Sequence, residues 1–175
     1  MAARKSSRVN CKYRASRKRR DWRKLHIGVD DEGFIVAAKL TESSVDDAST
    51  LPDLLDQIEA PIRRFAADGA YDRRSIYDRV GVAGTEDVVI VIPPRRSAVS
   101  PRPVGGPWAQ REAALQRIHK VGRRERQTES GYRQQASVEN GFFRYKSMLG
   151  GGLKARNSIA QTREAMIGCR ILNRS

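Results

Sequence analysis

The segment WRKLHIGVDDEGFIVAAKL, residues 22–40, decides the fold of this chain. Between residues 25 and 29, apolar side chains alternate with small or polar ones, which is the pattern of a strand with one buried face. Residues 30–33, Asp-Asp-Glu-Gly, supply turn chemistry. Residues 34–40 then alternate again. Two alternating segments joined by a short turn predict a β-hairpin.

The rest of the chain alternates between strand and helix patterns. Ser44 to Asp47 offers helix caps before an apolar helical face. Val88 to Ile92 is a continuous β-branched run, which predicts a strand buried on both faces. A hairpin followed by strand–helix alternation predicts an α/β fold, a mixed sheet covered by helices. The other predicted elements are a strand at 65–67, a helix at 75–80, a loop at 93–108, and helices at 109–127, 136–149 and 158–172. In the last helix the residues expected to be buried are Ile159, Met166, Ile167, Cys169 and Ile171.

Charge and hydropathy define the broad class of protein. Lys and Arg total 34, Asp and Glu total 20, and the formal net charge is +14. This excess excludes an acidic cation-binding protein and makes a polyanion, most often nucleic acid, the expected partner. Mean hydropathy is −0.62, and the longest apolar runs are too short to span a bilayer, so no membrane segment is expected. Because no apolar stretch follows Met1, the expected location is the cytoplasm.

Basic residues are concentrated at the start of the chain. Residues 4–24 hold a dense row of Lys and Arg opposed only by Asp21. We therefore expect a flexible basic arm over residues 1–21, which contacts phosphates without a fixed shape. One domain is expected to follow over residues 22–175.

Two carboxylates are candidates for chemistry. Asp68 closes the strand at 65–67, and loops at the carboxyl ends of strands are where such sheets bind ligands. Glu139 lies in the helix at 136–149, and Lys146, seven residues later, shares its face. Carboxylates that meet in the fold hold Mg²⁺, and a lysine beyond them binds phosphate as a point charge. The ordinary alternatives are a turn at Asp68 and a solvated helix face at Glu139 and Lys146.

Three stretches of sequence carry a resemblance to a known family. They are WRKLH at residues 22–26, ADGAYD at residues 67–72, and the segment that runs from Tyr132 to Lys146. Together they resemble the DDE transposases of the insertion-sequence-five type. The resemblance extends over nearly the whole chain, from about residue 18 to residue 174.

The last stretch is the most specific. The family signature there is Tyr, two residues, Arg, three residues, Glu, six residues, Lys. Tyr132, Glu139 and Lys146 fall in register with it, whereas Gln135 occupies the arginine position.

The resemblance implies an RNase H-like fold, with a mixed sheet flanked by helices, and an enzyme that cuts and rejoins DNA at the ends of a mobile element. In this family two aspartates and a glutamate hold two Mg²⁺ ions. By motif, Asp68 corresponds to the second aspartate and Glu139 to the glutamate. Lys146 corresponds to the lysine that positions the element's end, and Tyr132 belongs to the same signature.

The family's first aspartate has no counterpart in this sequence. In the family it lies on a strand before the basic stretch, and here no acidic residue precedes Asp21. The resemblance therefore implies that the first, central strand is missing and that metal is held poorly. It also implies a truncated transposase, or one half of a split reading frame whose upstream partner supplies the strand.

Few residues offer a substitute for what is missing. Val9, Cys11 and Tyr13 alternate as a remnant of the strand would, although the pattern is short. Asp30 ends an apolar strand, but it is expected to belong to the hairpin turn. Asp47 is explained by a helix cap.

Two other functions fit the same sequence. One is a non-catalytic basic module that binds DNA or RNA through the arm and the helix around Arg111 to Arg126. The other is an RNase H-like nuclease without strand transfer. The spacing of the carboxylates favours an enzyme, because carboxylates repel nucleic acid unless metal is present. Aromatic residues make up only 6% of the chain, so base stacking is a weak hypothesis from composition. A second copy of the chain is a further candidate partner.

Overall fold

The computed structural model describes residues 2–3, 7–11, 22–99, 105–132 and 136–174. The expectations for Tyr13, for Gln135 and for most of the basic arm lie outside these residues. The strands are β1 (Ala2–Ala3), β2 (Ser7–Cys11), β3 (Trp22–Val29), β4 (Ile35–Glu42), β5 (Ile62–Ala67), β6 (Gly84–Val91) and β7 (Gly152–Leu153). The helices are α1 (Leu51–Leu55), α2 (Arg74–Ala83), α3 (Ala109–Val121), α4 (Arg123–Glu129), α5 (Ala136–Leu149) and α6 (Ser158–Leu172), with 3-10 turns at Ala48–Thr50 and Gly69–Tyr71.

The predicted hairpin is confirmed. β3 and β4 are antiparallel, with Ile27 opposite Ala38. The turn between them is held by Asp30, whose Oδ1 accepts hydrogen bonds from the backbone N–H groups of Glu32 and Phe34 at 3.0 and 2.8 Å. The Asp30 carboxylate therefore belongs to the hairpin turn, as the sequence predicts.

β1 and β2 occupy the centre of the sheet. Both run antiparallel to β3 along the same edge, β1 beside Gly28 and Val29 and β2 beside residues 22–25. β5 pairs with β1 in parallel, β6 pairs with β5, and β7 pairs with β2. The prediction that the central strand is missing is therefore wrong, because residues 2–3 and 7–11 supply its backbone. Sheet hydrogen bonds need only backbone groups, so a segment with a weak apolar pattern can fill this place.

β6 is the outer strand of the sheet rather than a strand buried on both faces. Val88 and Ile90 are buried, but Val89 between them is 45% exposed. Gln110 of α3 covers part of the open edge. Its Oε1 accepts from the Ile90 N–H at 2.8 Å and its Nε2 donates to the Val88 carbonyl at 2.7 Å. A side-chain amide thus takes the place of a neighbouring strand.

The sheet has an apolar core on each face. Leu25 and Ile27 of β3 pack in one core with α5 and α6. The other core lies between β5, β6 and the helices α1 and α2. β5 shows the alternation directly, because Phe65 and Ala67 belong to the second core and Ala66 to the first. This arrangement confirms the predicted α/β class, a mixed sheet flanked by helices.

Two predictions about helices need correction. Residues 109–127 form two helices, because Gly122 adopts a φ of 86° and separates α3 from α4. In α6, Cys169 is buried and Met166 packs against the core, as predicted. The other three positions expected to be buried are exposed: Ile159, Ile167 and Ile171.

Small residues explain the orientation of α6. Ala165 and Gly168 face the core, and a Cβ at Gly168 would lie 2.7 Å from Leu149 Cδ1. Because α6 lies so close to α5, only small side chains fit at the contact, and the isoleucines of α6 lie on its exposed side. None of the described helices has the length and apolar character needed to cross a bilayer.

Candidate active site

Asp68 stands at the carboxyl end of β5 and begins the 3-10 turn Gly69–Tyr71. Its Oδ1 accepts a hydrogen bond from the Ala70 N–H at 2.8 Å. Ala67 lies opposite Ala3 of β1, and Ala3 lies opposite Gly28 of β3. Asp68, the next residue after Ala67, is therefore level with Ile27 of β3. The half-buried carboxylate therefore lies where ligands bind in sheets of this class.

Tyr71 closes the 3-10 turn that Asp68 begins. Its side chain is buried, and burial raises its pKa above the ordinary range, with further contributions from the carboxylates of Asp47, Asp68 and Asp46. Tyr71 therefore stays protonated beneath the turn. Two of these carboxylates are themselves paired with cations, Asp46 with Arg73 and Asp47 with Lys24.

A buried ion pair joins the turn to α3. Arg111 donates from Nε to Asp72 Oδ1 at 2.6 Å and from Nη2 to Oδ2 at 3.2 Å. The Arg111 guanidinium carbon lies 4.7 Å from the centroid of the Trp108 ring. Asp72 also accepts a hydrogen bond from the Arg95 N–H at 3.0 Å. Because Asp72 follows Asp68 by only four residues, this cluster holds the Asp68 turn in place. The sequence analysis did not predict this cluster. Its only indication in the sequence is Asp72, the second aspartate of ADGAYD.

The basic segment of α3 and α4 offers less free charge than its sequence suggests. Arg111 is buried. Arg117 pairs with Glu129, with 2.5 Å between Nη2 and Oε1. Arg123 donates to the backbone carbonyls of Pro94 and Arg95. A nucleic-acid interface over Arg111 to Arg126 would therefore depend mainly on the exposed Lys120 and Arg124.

Glu139 and Lys146 lie on the exposed face of α5. The buried face of α5 carries Val138, Phe142 and Tyr145. Seven residues make about two turns, so the two charged side chains share one face about 10 Å apart along the axis. This is the placement that their spacing predicts.

α5 packs closely on the central part of the sheet. A Cβ at Gly141 would lie 3.1 Å from Ile27 Cδ1 and 3.5 Å from Val29 Cγ2, so glycine allows the approach. α5 also contacts β1. Ile27 is at the level of Asp68, so Asp68 and Glu139 lie on elements that flank β1 in the same region of the sheet. That the two carboxylates share a metal ion stays a prediction.

Tyr132 is half-buried and packs against the core that contains Leu25 and Ile27. It lines, with Pro93 and Arg123, a cavity of about 20 Å³, which is room for a single water and not for a nucleobase. A Cβ at Gly69, next to Asp68, would lie 3.1 Å from the Pro93 carbonyl oxygen. Tyr132 therefore lies near the carboxyl end of β6, beside the turn that carries Asp68.

The acidic residues of this region match a metal site in type but not in number. Asp68 and Glu139 offer carboxylate oxygens, the ligands that Mg²⁺ prefers. Within the described residues, no group of three or more His, Cys, Asp or Glu side chains is arranged to hold a metal ion. β1 and β2 fill the central place in the sheet, and positions 1–20 contain no Asp or Glu. The third carboxylate implied by the family resemblance is thus absent from that strand.

A second polar cluster stabilises the hairpin. His26 is fully buried, with Nε2 2.8 Å from Thr41 Oγ1 and Nδ1 3.3 Å from Thr50 Oγ1. Burial lowers the pKa of His26 to about 4, although the Asp47 carboxylate opposes the shift. His26 is therefore neutral at physiological pH and has a structural role.

Asp47 does not cap the following helix through its side chain, contrary to expectation. Its Oδ1 accepts a hydrogen bond from Lys24 Nζ at 3.3 Å. The neighbouring Asp46 accepts from the Ser49 N–H at 3.2 Å instead. Asp46, and not Asp47, therefore accepts a backbone hydrogen bond at the start of this helical turn, and Asp47 pairs with Lys24.

A comparison with known protein families agrees with this architecture. The family model described as the transposase DDE domain matches residues 2–174, which include the central strand segments, the Asp68 turn and α5. No solved structure matches the chain. The chain belongs to the family of transposase DDE domains.

Proposed function

We propose that this chain is a DNA-binding transposase domain of the insertion-sequence-five type whose catalytic centre is incomplete. The placement of Asp68 and Glu139 on elements that flank β1 carries the proposal. Lys146 lies on the same exposed face of α5 as Glu139. Family membership supports a role in transposition, and this placement supports the assignment of roles to the three residues.

Asp68 and Glu139 are the residues that would hold divalent metal. Bound in pairs, such ions activate the attacking oxygen and stabilise the leaving oxygen of a phosphodiester. This chain offers two carboxylates as metal ligands. Asp30 does not replace the third carboxylate, because its side chain accepts hydrogen bonds within the hairpin turn. With one anionic ligand missing, we expect weak metal binding and slow DNA strand cleavage and transfer.

DNA binding does not need the third carboxylate. The exposed ammonium of Lys146 binds phosphate as a point charge, and the net charge of +14 attracts DNA over a longer range. We therefore expect this chain to bind DNA much better than it cuts it.

A plasmid-nicking assay tests the catalytic assignment. Slow Mg²⁺-dependent nicking is expected, and Asp68→Asn and Glu139→Gln should each abolish it. Asp30→Asn is the matched control and should retain it, because the Asn side-chain oxygen still accepts both hydrogen bonds of the turn. Nicking that survives Asp68→Asn would remove Asp68 from the site. Robust nicking that is lost only in Asp30→Asn would make Asp30 the missing aspartate.

A salt titration of DNA binding tests the role of Lys146. Lys146→Ala should weaken binding to any sequence and lower the slope of log affinity against log salt by about one. Lys120→Ala, an exposed lysine on α3, is the comparison. A larger loss with Lys120→Ala would move the DNA-binding surface to α3 and α4.

A non-catalytic basic DNA- or RNA-binding module is the second candidate, and the shortage of carboxylates in the described residues favours it. The two functions differ in their response to metal. If Mg²⁺ binding is undetectable and Glu139→Gln leaves DNA affinity unchanged, the non-catalytic module is supported. An RNase H-like nuclease would share the residues and differ in its products, with cleaved but never joined strands.

A further inference from the structure

Phe143 is the most exposed aromatic side chain in the part of the chain that the structure describes. It is 70% exposed, against 42% for Phe34 and 40% for Trp22. The preceding residue, Phe142, is 9% exposed and belongs to the core. Two adjacent phenylalanines of one helix therefore have opposite environments, and the core does not account for the second one.

The position of Phe143 on α5 distinguishes it from an ordinary surface residue. It follows Glu139 by four residues and precedes Lys146 by three. At about 100° per residue, the three side chains lie within about 60° of the helix circumference. Phe143 lies about 6 Å beyond Glu139 and about 4.5 Å before Lys146 along the axis. An apolar ring thus stands between a candidate metal ligand and a candidate phosphate ligand.

Single exposed apolar residues are common, so exposure alone assigns no role. The neighbours of Phe143 supply the argument. A lysine that binds a phosphate brings the attached nucleotide next to the ring. An exposed aromatic ring stacks on any base, because every base has a π-face. The cavity beside Tyr132 has room for a water and not for a base, so it does not compete with Phe143 for that base.

We propose that Phe143 stacks on a terminal or unpaired base of DNA whose phosphate is bound by Lys146. The proposal rests on the proposed function, since it uses the same face of α5. Its ligand is DNA with an accessible base face, because bases inside an intact duplex are already stacked on their neighbours. Phe143 is thereby a DNA-contacting residue with little preference for sequence.

Two DNA probes of equal charge test the proposal. One is a short duplex that ends in a few unpaired thymidines, and the other carries abasic sugar phosphates at those positions. Phe143→Ala should lower affinity for the first probe about 5-fold to 150-fold, the range of base–aromatic stacking, and leave the second unchanged. Phe143→Trp should retain or increase affinity for the first probe. Lys146→Ala should weaken binding to both.

Controls separate stacking from loss of structure. Met148→Ala removes another exposed apolar side chain of α5, 52% exposed, and should not distinguish the probes. The melting temperature of Phe143→Ala should be unchanged. Equal losses on both probes, or no loss while Lys146→Ala weakens binding, would overturn the stacking role and leave the proposed function standing. If Lys146→Ala also has no effect, this face of α5 does not bind DNA and both proposals fail.

Discussion

Arg111→Met tests how firmly the Asp68 turn is anchored. The side chains of Arg111 and Asp72 are 10% and 1% exposed and are joined by hydrogen bonds of 2.6 and 3.2 Å. Methionine keeps much of the packing of the arginine stem but leaves the Asp72 carboxylate buried without its charged partner. Breaking a buried ion pair in this way costs about 3–5 kcal/mol. For a domain of this size, the melting temperature should fall by about 6–20 °C.

Urea unfolding followed by circular dichroism measures this loss. Arg117→Met is the matched control, because the Arg117 and Glu129 side chains are 46% and 33% exposed, and it should cost much less stability than Arg111→Met. The double variant Arg111→Met/Asp72→Leu should be more stable than Arg111→Met, since no buried charge is left unpaired. The reasoning is refuted if Arg111→Met costs no more than Arg117→Met.

Three further predictions concern stability and are measured by the same unfolding experiment. Gln110→Ala removes both hydrogen bonds to the edge of β6 and should cost about 1–3 kcal/mol, whereas Gln116→Ala, exposed on the same helix, should change stability by less than about 0.5 kcal/mol. Gly168→Ala forces a methyl group against α5 and should cost about 1–2 kcal/mol, while Gly151→Ala meets nothing within 4 Å and should be neutral. The folded-state pKa of His26, about 4, lies below its ordinary value of 6.5, so its contribution to stability is present above about pH 6.5 and is lost as the pH falls toward 4. The protein should therefore lose about 2 kcal/mol more between pH 7 and pH 5 than His26→Asn does; equal losses would contradict the assigned pKa.

Local patterns predicted most of the secondary structure. The hairpin, the helix at 136–149 and the helix at 158–172 depend on alternation, helical spacing and glycine stops within one segment. The placement of Asp68 at a strand end and of Glu139 with Lys146 on one helix face follows from the same local rules. These features can be predicted without knowing which elements pack against them.

The failures involve distant partners. β1 and β2 enter the sheet through backbone pairing, which leaves little trace in side-chain pattern. The orientation of α6 depends on the close approach of Gly168 to α5, and the place of β6 at the edge of the sheet depends on which strands pair with it. The Arg111–Asp72 pair joins residues 39 positions apart, so the sequence alone does not indicate that these two charged residues are partners.

Manganese binding followed by electron paramagnetic resonance tests the central claim most directly, namely that Asp68 and Glu139 hold one divalent ion together. Mn²⁺ replaces Mg²⁺ at oxygen ligands and reports binding without any need for turnover. Asp68→Asn and Glu139→Gln should each lower the affinity for the same single Mn²⁺ ion by at least about tenfold. An affinity that either substitution leaves unchanged, or two bound ions of which each substitution removes a different one, would show that the two carboxylates do not share an ion.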